Sequence, residues 1–309
     1  MLSNCKDAKR AFFLCPFGNS EKTGEWFMYG WLIYDAEGRA RNGWFIGQMV
    51  QYASSCGVCL EVVGAEAFCF GVRNGRCFAE PFEGKRPDFV LVRTIFPLIQ
   101  EILEHLEIPV YNSAKVSSVC NDKRRTHAFF ARSTVPMADS FFCSRRCFDA
   151  DRYGYPAVLK SASGHGGREV FLVKNREEVL ALLPSLSEDA ILLQEPVDQG
   201  RDVRVYLLDG RVLAAVERTS ETDFRSNFSL GGKVRLFAPD ESMLKVVEEV
   251  KSSLDPLFVG VDFTFRKGEP LLNEIEDVVG TRMLYKLTDL PVHRLFLDAV
   301  FRKVYEKST

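Results

Sequence analysis

Several features that would point quickly to a function are missing from this sequence. No stretch approaches the roughly 18 consecutive apolar residues that a membrane-spanning helix needs, and residues 1–10 carry charges on both sides of a short apolar stretch instead of a secretory pattern. The 40 basic residues are balanced by 42 acidic ones and are spread along the chain, so no basic arm favours nucleic acid or an anionic membrane. We therefore expect a cytoplasmic protein with neither as a partner.

Motifs for metal binding by thiols and for nucleophilic catalysis are also scarce. Nine cysteines at irregular spacing form an odd count in a chain large enough to fold without disulfides, so we expect reduced thiols. Cys56 and Cys59 form a CxxC, but no second pair or histidine pair at zinc spacing accompanies it, and buried thiols are the simpler interpretation. With four histidines, the sequence shows no convincing Cys-His or Ser-His arrangement.

The sequence does contain an alternation of strand and helix patterns. At 309 residues the chain can bury substantial cores, so two or three subdomains are expected. The first third combines β-branched runs, a hairpin around Asn74-Gly75 and a helix with Leu98, Ile99, Ile102, Leu103 and Leu106 on one face. It predicts an open α/β layer. The predicted division is an N-terminal α/β domain (1–111), a central subdomain (112–194) and a C-terminal subdomain (195–309).

A glycine-rich loop between two predicted strands is the first candidate binding element. Residues 155–170 read YPAVLKSASGHGGREV, with Lys160 at the end of an apolar strand, followed by Gly164, Gly166 and Gly167. Small residues let backbone N–H groups approach phosphate oxygens, and the lysine supplies the compensating charge. No GK[ST] closes the loop, and strands on both sides argue against a Rossmann turn. An ordinary hairpin loop is the alternative interpretation.

The next candidate is the end of a strand that reads LLQEPV. Gln194, Glu195 and Val197 follow an apolar run and flank a proline. An adenine site needs backbone groups at such a strand end and an acidic or amide side chain for the exocyclic amine. A strand that simply leaves the core would have the same pattern.

Three acids in two apolar segments form the most informative pattern. Asp262 lies in FVGVDFTF, and Glu274 and Glu276 lie in LLNEIEDVVG. Alternate residues of a strand share a face, so the two glutamates point the same way. If the Asp262 strand lies alongside, the three carboxylates converge and require a cation such as Mg²⁺, which prefers hard oxygen ligands. A solvated strand face is the alternative, although the apolar context favours burial.

A polar loop between these motifs supplies candidate cations. The segment 217–232 reads ERTSETDFRSNFSLGG and contains Arg218, Arg225 and Asn227 where a strand gives way to the loop. Guanidinium groups in a cleft can clamp a carboxylate or stabilise a transferring phosphoryl group. An exposed polar loop would look similar.

Taken in order, these motifs resemble the ATP-grasp superfamily, in particular its RimK-like branch of ribosomal-protein glutamate ligase and related amino-acid ligases. NDKRRTHAFFARSTVPMADS resembles the family's first nucleotide-lysine helix, VLKSASGHGGREV the second lysine and phosphate loop, and LLQEPV the adenine hinge. DVRVYLLDGRVLAAVER resembles the hairpin that follows, DFRSNFSLGG the arginine-asparagine loop, and VDFTF with NEIEDVVG the metal-carboxylate strands. The resemblance covers about residues 112–309 and implies an ATP-grasp fold: an N-terminal open α/β domain and two α+β subdomains that clasp ATP.

The resemblance also implies roles for individual residues. It places the phosphates of ATP at Lys123, Lys160 and the three loop glycines, the adenine at the strand end, and the ribose at Asp202. It assigns Mg²⁺, with Mn²⁺ as a substitute, to Asp262, Glu274 and Glu276. The γ-phosphate and acyl phosphate would face Arg225 and Asn227, with Arg218 as a clamp and Arg282 as a holder of substrate carboxylate.

The sequence departs from the resembled family at two neighbouring points. The position of Glu276 is usually Asn, and the small-Pro-Gly turn that normally follows is Val278-Val279-Gly280 here. An additional carboxylate would bind the metal more tightly, bind a second ion or accompany an altered activity.

The implied activity is an ADP-forming carboxylate–amine ligase that acts through an acyl phosphate on an amino acid, a peptide or a protein tail. The resemblance also allows a homo-oligomer. Two alternatives are an ATP-grasp kinase that stops after phosphoryl transfer and a nucleotide-binding pseudoenzyme or regulatory protein. The second would be expected to lack a phosphate lysine or a metal ligand, and this chain lacks neither.

Overall fold

The computed structural model describes residues 27–80, 86–162, 169–187, 189–220 and 232–308. In these ranges the strands are β1 (Met28–Tyr34), β2 (Val58–Gly64), β3 (Cys69–Arg73), β4 (Arg76–Glu80), β5 (Phe89–Val92), β6 (Val110–Tyr111), β7 (Ser140–Ser144), β8 (Ala157–Ser161), β9 (Val170–Val173), β10 (Ala190–Gln194), β11 (Arg201–Leu208), β12 (Arg211–Thr219), β13 (Lys233–Phe237), β14 (Phe258–Arg266) and β15 (Glu269–Glu276). The helices are α1 (Ala36–Ser55), α2 (Pro97–His105), α3 (Ala114–Cys120), α4 (Lys123–Phe130), α5 (Arg176–Leu182), α6 (Glu241–Leu254), α7 (Arg282–Leu287) and α8 (Val292–Ser308).

Contacts between Cα atoms divide the chain into two compact units. The first comprises residues 1–117 and 288–309, and the second comprises residues 118–287. Helix α8 therefore belongs to the first unit, although it follows the second unit in the sequence. The predicted boundaries after residues 111 and 194 stay predictions. Among the helices of the described ranges, none combines the length and the apolar composition that a bilayer crossing requires.

The first unit contains a parallel sheet in the order β2-β1-β5-β6. The central strands β1 and β5 are almost continuously buried apolar runs, as expected where both faces of a parallel sheet are covered. The predicted hairpin is confirmed as β3 and β4, and Asn74 and Gly75 both have positive φ, at 53° and 74°. A two-residue turn of this kind matches the twist of the flanking strands. The predicted open α/β layer is thus confirmed.

The second unit contains two antiparallel sheets. One has the order β7-β10-β8-β9, and the other has the order β13-β12-β11-β14-β15. Both strands predicted to flank the glycine loop are present as β8 and β9, which pair directly. In the larger sheet β11 is buried along almost its whole length, and β14 and β15 pair on one side of it. This pairing sets the positions of the polar side chains described below.

Two helices bury faces slightly different from those predicted. The sequence places Leu98 on the apolar face of α2, and it places Leu244 in phase with Val247, Val250 and Leu254 in α6. Leu98 is 52% exposed and Leu244 is 43% exposed, so neither belongs to the buried stripe of its helix. In α6 the buried stripe is made by Met243, Val246, Val247, Val250 and Leu254, at the i, i+3, i+4, i+7 and i+11 positions. Leu244 lies about 100° from the first residue of that stripe, which places it at the solvent edge.

Candidate functional site

The three predicted metal carboxylates lie together on one face of the larger sheet. Asp262 in β14 is directly opposite Glu274 in β15, and Glu276 is two residues further on the same face. One oxygen from each of the three side chains can be chosen so that all lie within 4.8 Å of one another. The convergence predicted from alternate spacing is therefore present in the fold.

Two buried arginines neutralise this acidic group. Arg204 in β11 faces Asp262 and binds it in a bidentate manner, with Nε 2.6 Å from Oδ1 and Nη2 2.7 Å from Oδ2. Its Nη1 lies 2.7 Å from Oε2 of Glu276. Arg218 in β12 donates from Nη2 to Oδ2 of Asp262 at 2.8 Å and from Nε to Asp202. Charge-assisted pairs of this kind fix both partners in place.

These contacts shift the pKa values of the acids in different directions. Burial alone would raise the pKa of Asp262, but the two arginines outweigh it and lower that pKa to about 2. Burial alone would also raise the pKa of Glu274, but the positive charge of Lys123 outweighs burial, so the pKa of Glu274 is lowered. Burial raises the pKa of Glu276, and the positive charge of Arg204 offsets only part of this rise. The negative charges of Asp262 and Glu274 raise the pKa further, because they disfavour ionisation of Glu276.

Lys123 reaches the same acids from the first turn of α4. Asp122 caps this helix by accepting a hydrogen bond from the backbone N–H of Arg124 at 2.9 Å. Lys123 Nζ is 2.8 Å from Oε2 of Glu274. Burial alone would lower the pKa of Lys123, but the negative charge of Glu274 outweighs burial and raises that pKa. The backbone N–H of Lys123 also donates to the carbonyl of Ala162 at 3.3 Å, which ties α4 to the end of β8.

Lys160 lies on β8 among neutral oxygen partners. Its Nζ donates to Oε1 of Gln194 at 2.7 Å and is 3.4 Å from Oδ1 of Asn273. The Gln194 amide nitrogen donates in turn to Ser140 Oγ at 2.9 Å. Burial, with repulsion from Lys123, lowers the pKa of Lys160 to about 8. Asn273 precedes Glu274, so both lysines reach one stretch of β15.

His127 supports this arrangement from one turn further along α4. Its Nε2 donates to the carbonyl of Asn273 at 3.1 Å, and its ring lies edge-on to Phe142 with centroids 6.2 Å apart. Burial, helped by the two nearby lysines, lowers the pKa of His127, so the imidazole is neutral near pH 7. Residues four apart share a helix face, which is why Lys123 and His127 both contact β15.

Two of the residues predicted to surround adenine and ribose, Glu195 and Asp202, form ion pairs with arginines. Glu195 accepts from the backbone N–H of Asp139 at 2.9 Å and pairs with Arg266, while Val197 is half-buried. Asp202 is engaged with Arg218 at the site. Its predicted ribose contact stays a prediction.

One further predicted residue is exposed, and five others cannot be placed. Arg282 is exposed at the first position of α7. The remaining five lie outside the described residues: Gly164, Gly166, Gly167, Arg225 and Asn227.

Three residues of the cluster were not predicted from the sequence: Arg204, His127 and Asn273. Arg204 had a visible signal, because Asp202 and Arg204 alternate with Val203 and Val205 in the strand RDVRVYLL. His127 had only its spacing from Lys123.

The donor set fits a divalent cation of the magnesium type. Three carboxylates on one face offer hard oxygen ligands, and oxygens on opposite sides of Mg²⁺ stand about 4 Å apart at its usual bond lengths. The observed spread of 4.8 Å or less among the three oxygens requires only a small adjustment. Arg204, Arg218 and Lys123 now balance the same charge, so an incoming cation has to share these acids with them.

Similarity to solved structures defines the class of fold. D-alanine–D-alanine ligase from Bacillus anthracis, in complex with ATP, has a TM-score of 0.69 at 16% identity, covering 91% of this chain and 98% of that chain. A RimK-domain ATP-grasp protein from Sphaerobacter thermophilus has a TM-score of 0.63 at 16% identity, covering 88% and 99%. The chain has the ATP-grasp fold.

Sequence comparison gives the family within that fold. The RimK-like ATP-grasp domain matches residues 120–300, which is more than half of the chain. The chain belongs to this family.

Three curated relatives illustrate its range. The MG011 homolog of Mycoplasma pneumoniae, an uncharacterized protein, is 29% identical over 193 residues, covering 61% of this chain and 66% of that protein. Human N-acetylaspartylglutamate synthase A is 32% identical over 195 residues, covering 57% and 50%. The α-aminoadipate–LysW ligase LysX of Saccharolobus solfataricus is 24% identical over 208 residues, covering 64% and 76%. The chain spans half to two thirds of the length of the first two.

Proposed function

We propose that this chain is an ATP-dependent, ADP-forming carboxylate–amine ligase. The observation that carries the proposal is the meeting, within one compact unit, of three carboxylates and two lysines that lie far apart in the sequence. A buried acidic group with adjacent lysines suits a nucleotide triphosphate and its divalent cation. Relatives named as an N-acetylaspartylglutamate synthase and an α-aminoadipate–LysW ligase support an amino acid or a peptide as substrate.

In the proposed reaction an oxygen of the substrate carboxylate forms a bond to the γ-phosphorus while the bond to the β–γ bridging oxygen breaks. ADP and an acyl phosphate result. The nitrogen of an amine then attacks the acyl carbon, loses a proton, and the carbon–oxygen bond to phosphate breaks to leave an amide. The substrates supply both reacting groups, so no protein nucleophile is needed.

The chain's own residues bind and neutralise charge in this scheme. Asp262, Glu274 and Glu276 would hold Mg²⁺, which would supply positive charge to stabilise the phosphates during transfer. Lys123 and Lys160 would contact the phosphates, because both ammonium groups already point at the stretch of β15 that carries the acids.

The remaining predicted contacts are part of the proposal as well. Gly164, Gly166 and Gly167 would cover the phosphates, and Arg225 and Asn227 would face the γ-phosphate. Backbone groups at Glu195 and Val197 would bind the adenine, and Arg282 would hold a substrate carboxylate.

The test combines ATP, Mg²⁺ and a matrix of amino acids with hydroxylamine as the amine. An acyl phosphate reacts with hydroxylamine to give a hydroxamate, so we expect carboxylate-dependent ADP release together with a hydroxamate detected by mass spectrometry. With a natural amine the product should be lighter than its two components by one water. ADP release with a stable phosphorylated product and no hydroxamate would contradict the ligase and identify a kinase.

A matched pair of variants on β15 controls this test. Glu274→Gln removes a carboxylate of the cluster, and we expect ADP release to fall by about 100-fold or more. Glu269→Gln removes an exposed carboxylate from the same strand and should leave the rate unchanged. Equal rates in wild type and Glu274→Gln would contradict the assignment.

A further inference from the structure

All three guanidinium nitrogens of Arg204 contact the two acids Asp262 and Glu276. Its Nε and Nη2 bind Asp262, and its Nη1 binds Glu276 at 2.7 Å. The side chain of Arg204 is only 7% exposed, so its positive charge depends on these carboxylates.

The three acids are held with unequal strength. Asp262 is 2% exposed and accepts three hydrogen bonds from two arginines. Glu274 is 20% exposed and pairs with Lys123. Glu276 is the most exposed at 25%, and among the described residues it forms one ion pair, with Nη1 of Arg204. Glu274 and Glu276 thus each form a single pair, and Glu276 is the more exposed of the two, so water can replace its lost partner most readily.

The fold provides the space in which Arg204 and Glu276 meet. Gly260 lies opposite Glu276 in β15 and opposite Tyr206 in β11. A Cβ atom at Gly260 would lie 3.1 Å from Cδ of Arg204 and 2.7 Å from Cγ2 of Val279. The absence of a side chain at this position lets the arginine cross β14 toward the acid.

A divalent cation near these three acids would come close to the guanidinium of Arg204 as well as to the carboxylates. The guanidinium and the metal ion compete for the same carboxylate oxygens, so the metal ion gains a ligand if one arginine–carboxylate pair separates. The pair that separates at the lowest cost is Arg204 with Glu276. An asparagine, the residue usual at this position in the resembled family, could bind the metal through its oxygen but would not neutralise Arg204.

We propose that Glu276 exchanges partners: it is the counter-ion of Arg204 in the metal-free protein and becomes a ligand when a divalent cation binds. Nη1 of Arg204 is then released to bind an anionic oxygen of the substrate. The exchange makes Arg204 available only after the cation has arrived. This inference rests on the proposed function, because it concerns the same site.

The first experiment measures Mn²⁺ binding to the full chain without nucleotide, by electron paramagnetic resonance of the free ion. We expect wild type to bind one Mn²⁺ and Glu276→Gln to bind it about 10-fold to 100-fold more weakly. Glu269→Gln, on the same strand, should match wild type. Equal affinity in wild type and Glu276→Gln would overturn the inference, because the acid would then be only a fixed partner of Arg204.

The second experiment needs no variant. Nitrogen-15 NMR of the Arg204 guanidinium is followed while Mg²⁺ is added, again without nucleotide. We expect the Nη1 signal to shift as Glu276 leaves, with a midpoint equal to the binding midpoint. An Nη1 signal that stays in place while the cation saturates the site would overturn the exchange.

The two proposals can fail separately. Hydroxamate formation in the ligase test, combined with an unmoved Arg204 signal, would reject the exchange and leave the ligase standing. A moving Arg204 signal with neither ADP nor hydroxamate would support the exchange and reject the ligase.

Discussion

Lys160 is a buried ammonium group whose hydrogen-bond partners among the described residues are two amide oxygens, those of Gln194 and Asn273. Neutral partners only partly replace the water that a charged group loses on burial, so this arrangement costs folding free energy. A phosphate oxygen would supply the missing negative charge. In this account the site gives up stability in order to bind an anion.

Replacing Lys160 with methionine separates these two effects. Lys160→Met keeps the length of the side chain and removes its charge, so we expect ADP release to fall by about 100-fold to 1,000-fold. The free energy of unfolding should stay the same or rise by about 1 kcal/mol in the protein without nucleotide. Stopped assays and urea titrations measure the two quantities.

The control for this variant is Lys174→Met. Lys174 is exposed just after β9, so its loss should change neither quantity. A Lys160→Met protein that is both active and strongly destabilised would show that the lysine has a structural role.

The pH dependence of nucleotide binding follows from the pKa of Lys160, which is about 8 in place of 10.5. Below pH 8 the group is protonated and attracts phosphate. Above pH 8 it loses the proton, so ATP affinity should weaken by up to about tenfold per pH unit. Calorimetry at constant Mg²⁺ measures this, and Lys160→Arg, which stays charged, should flatten the curve.

The stability of the protein without nucleotide should change in the opposite direction. Between pH 8 and 10.5 the unfolded chain still binds the Lys160 proton whereas the folded protein has lost it, so this group makes stability increase as pH rises. Urea titrations across this range, compared with those of Lys160→Met, isolate the contribution. A wild-type stability that falls relative to that of Lys160→Met as pH rises would contradict the lowered pKa.

At the level of elements, helix α4 positions one of the two lysines and supports β15. Lys123 pairs with Glu274, and His127, one turn later, donates to the carbonyl of Asn273. Lys123 and His127 are both buried, so these two contacts form a polar seam between α4 and β15. We infer that the helix fixes the backbone from which Asn273 and Glu274 extend.

Replacing His127 with leucine tests that seam. His127→Leu keeps the volume but leaves the Asn273 carbonyl without its donor, so we expect a loss of about 1–3 kcal/mol in the free energy of unfolding. The KM for ATP should rise more than kcat falls, because the residue acts through β15 and does not contact the phosphates. His105→Gln, an exposed change in α2, is the matched control. Unchanged stability in His127→Leu would exclude the seam.

The elements that the sequence predicted are those with a clear period or turn signal. The Asn74-Gly75 hairpin and the strands β14 and β15 belong to this group. Strands β1 and β7 were not predicted, because MYGWLIY and SFFCS are short apolar runs without alternation, and such runs do not distinguish strand from buried helix.

The sequence predicted the site residues that belong to short local patterns. Glu274 and Glu276 share a strand face, which the period of two reveals, and the convergence with Asp262 needed only that their strands pair. Arg204 was missed because its partners depend on the register between β11 and β14, which no local pattern contains.

At the level of the whole molecule, the order of elements along the chain differs from their grouping in space. Helix α8 ends the chain but packs in the first unit, where the hydroxyl of Tyr52 in α1 donates to Oδ1 of Asp298 at 2.6 Å. The rings of Phe89 and Phe301 lie 6.0 Å apart in the same unit. The spacing of the apolar residues in the sequence predicts a buried stripe on α8, and its five members are buried: Val292, Leu295, Phe296, Ala299 and Val300. An apolar stripe does not, however, identify the surface that covers it.

The central claim concerns the second unit alone: two lysines and three acids surround one nucleotide triphosphate and its cation. Calorimetric titration of the full chain with a non-hydrolysable ATP analogue, with and without Mg²⁺, tests it most directly. The account predicts one nucleotide bound per chain, an affinity that depends on Mg²⁺, and loss of that dependence in Glu274→Gln but not in Glu269→Gln. An absence of binding heat at every Mg²⁺ concentration, or equal binding by all three proteins, would contradict it.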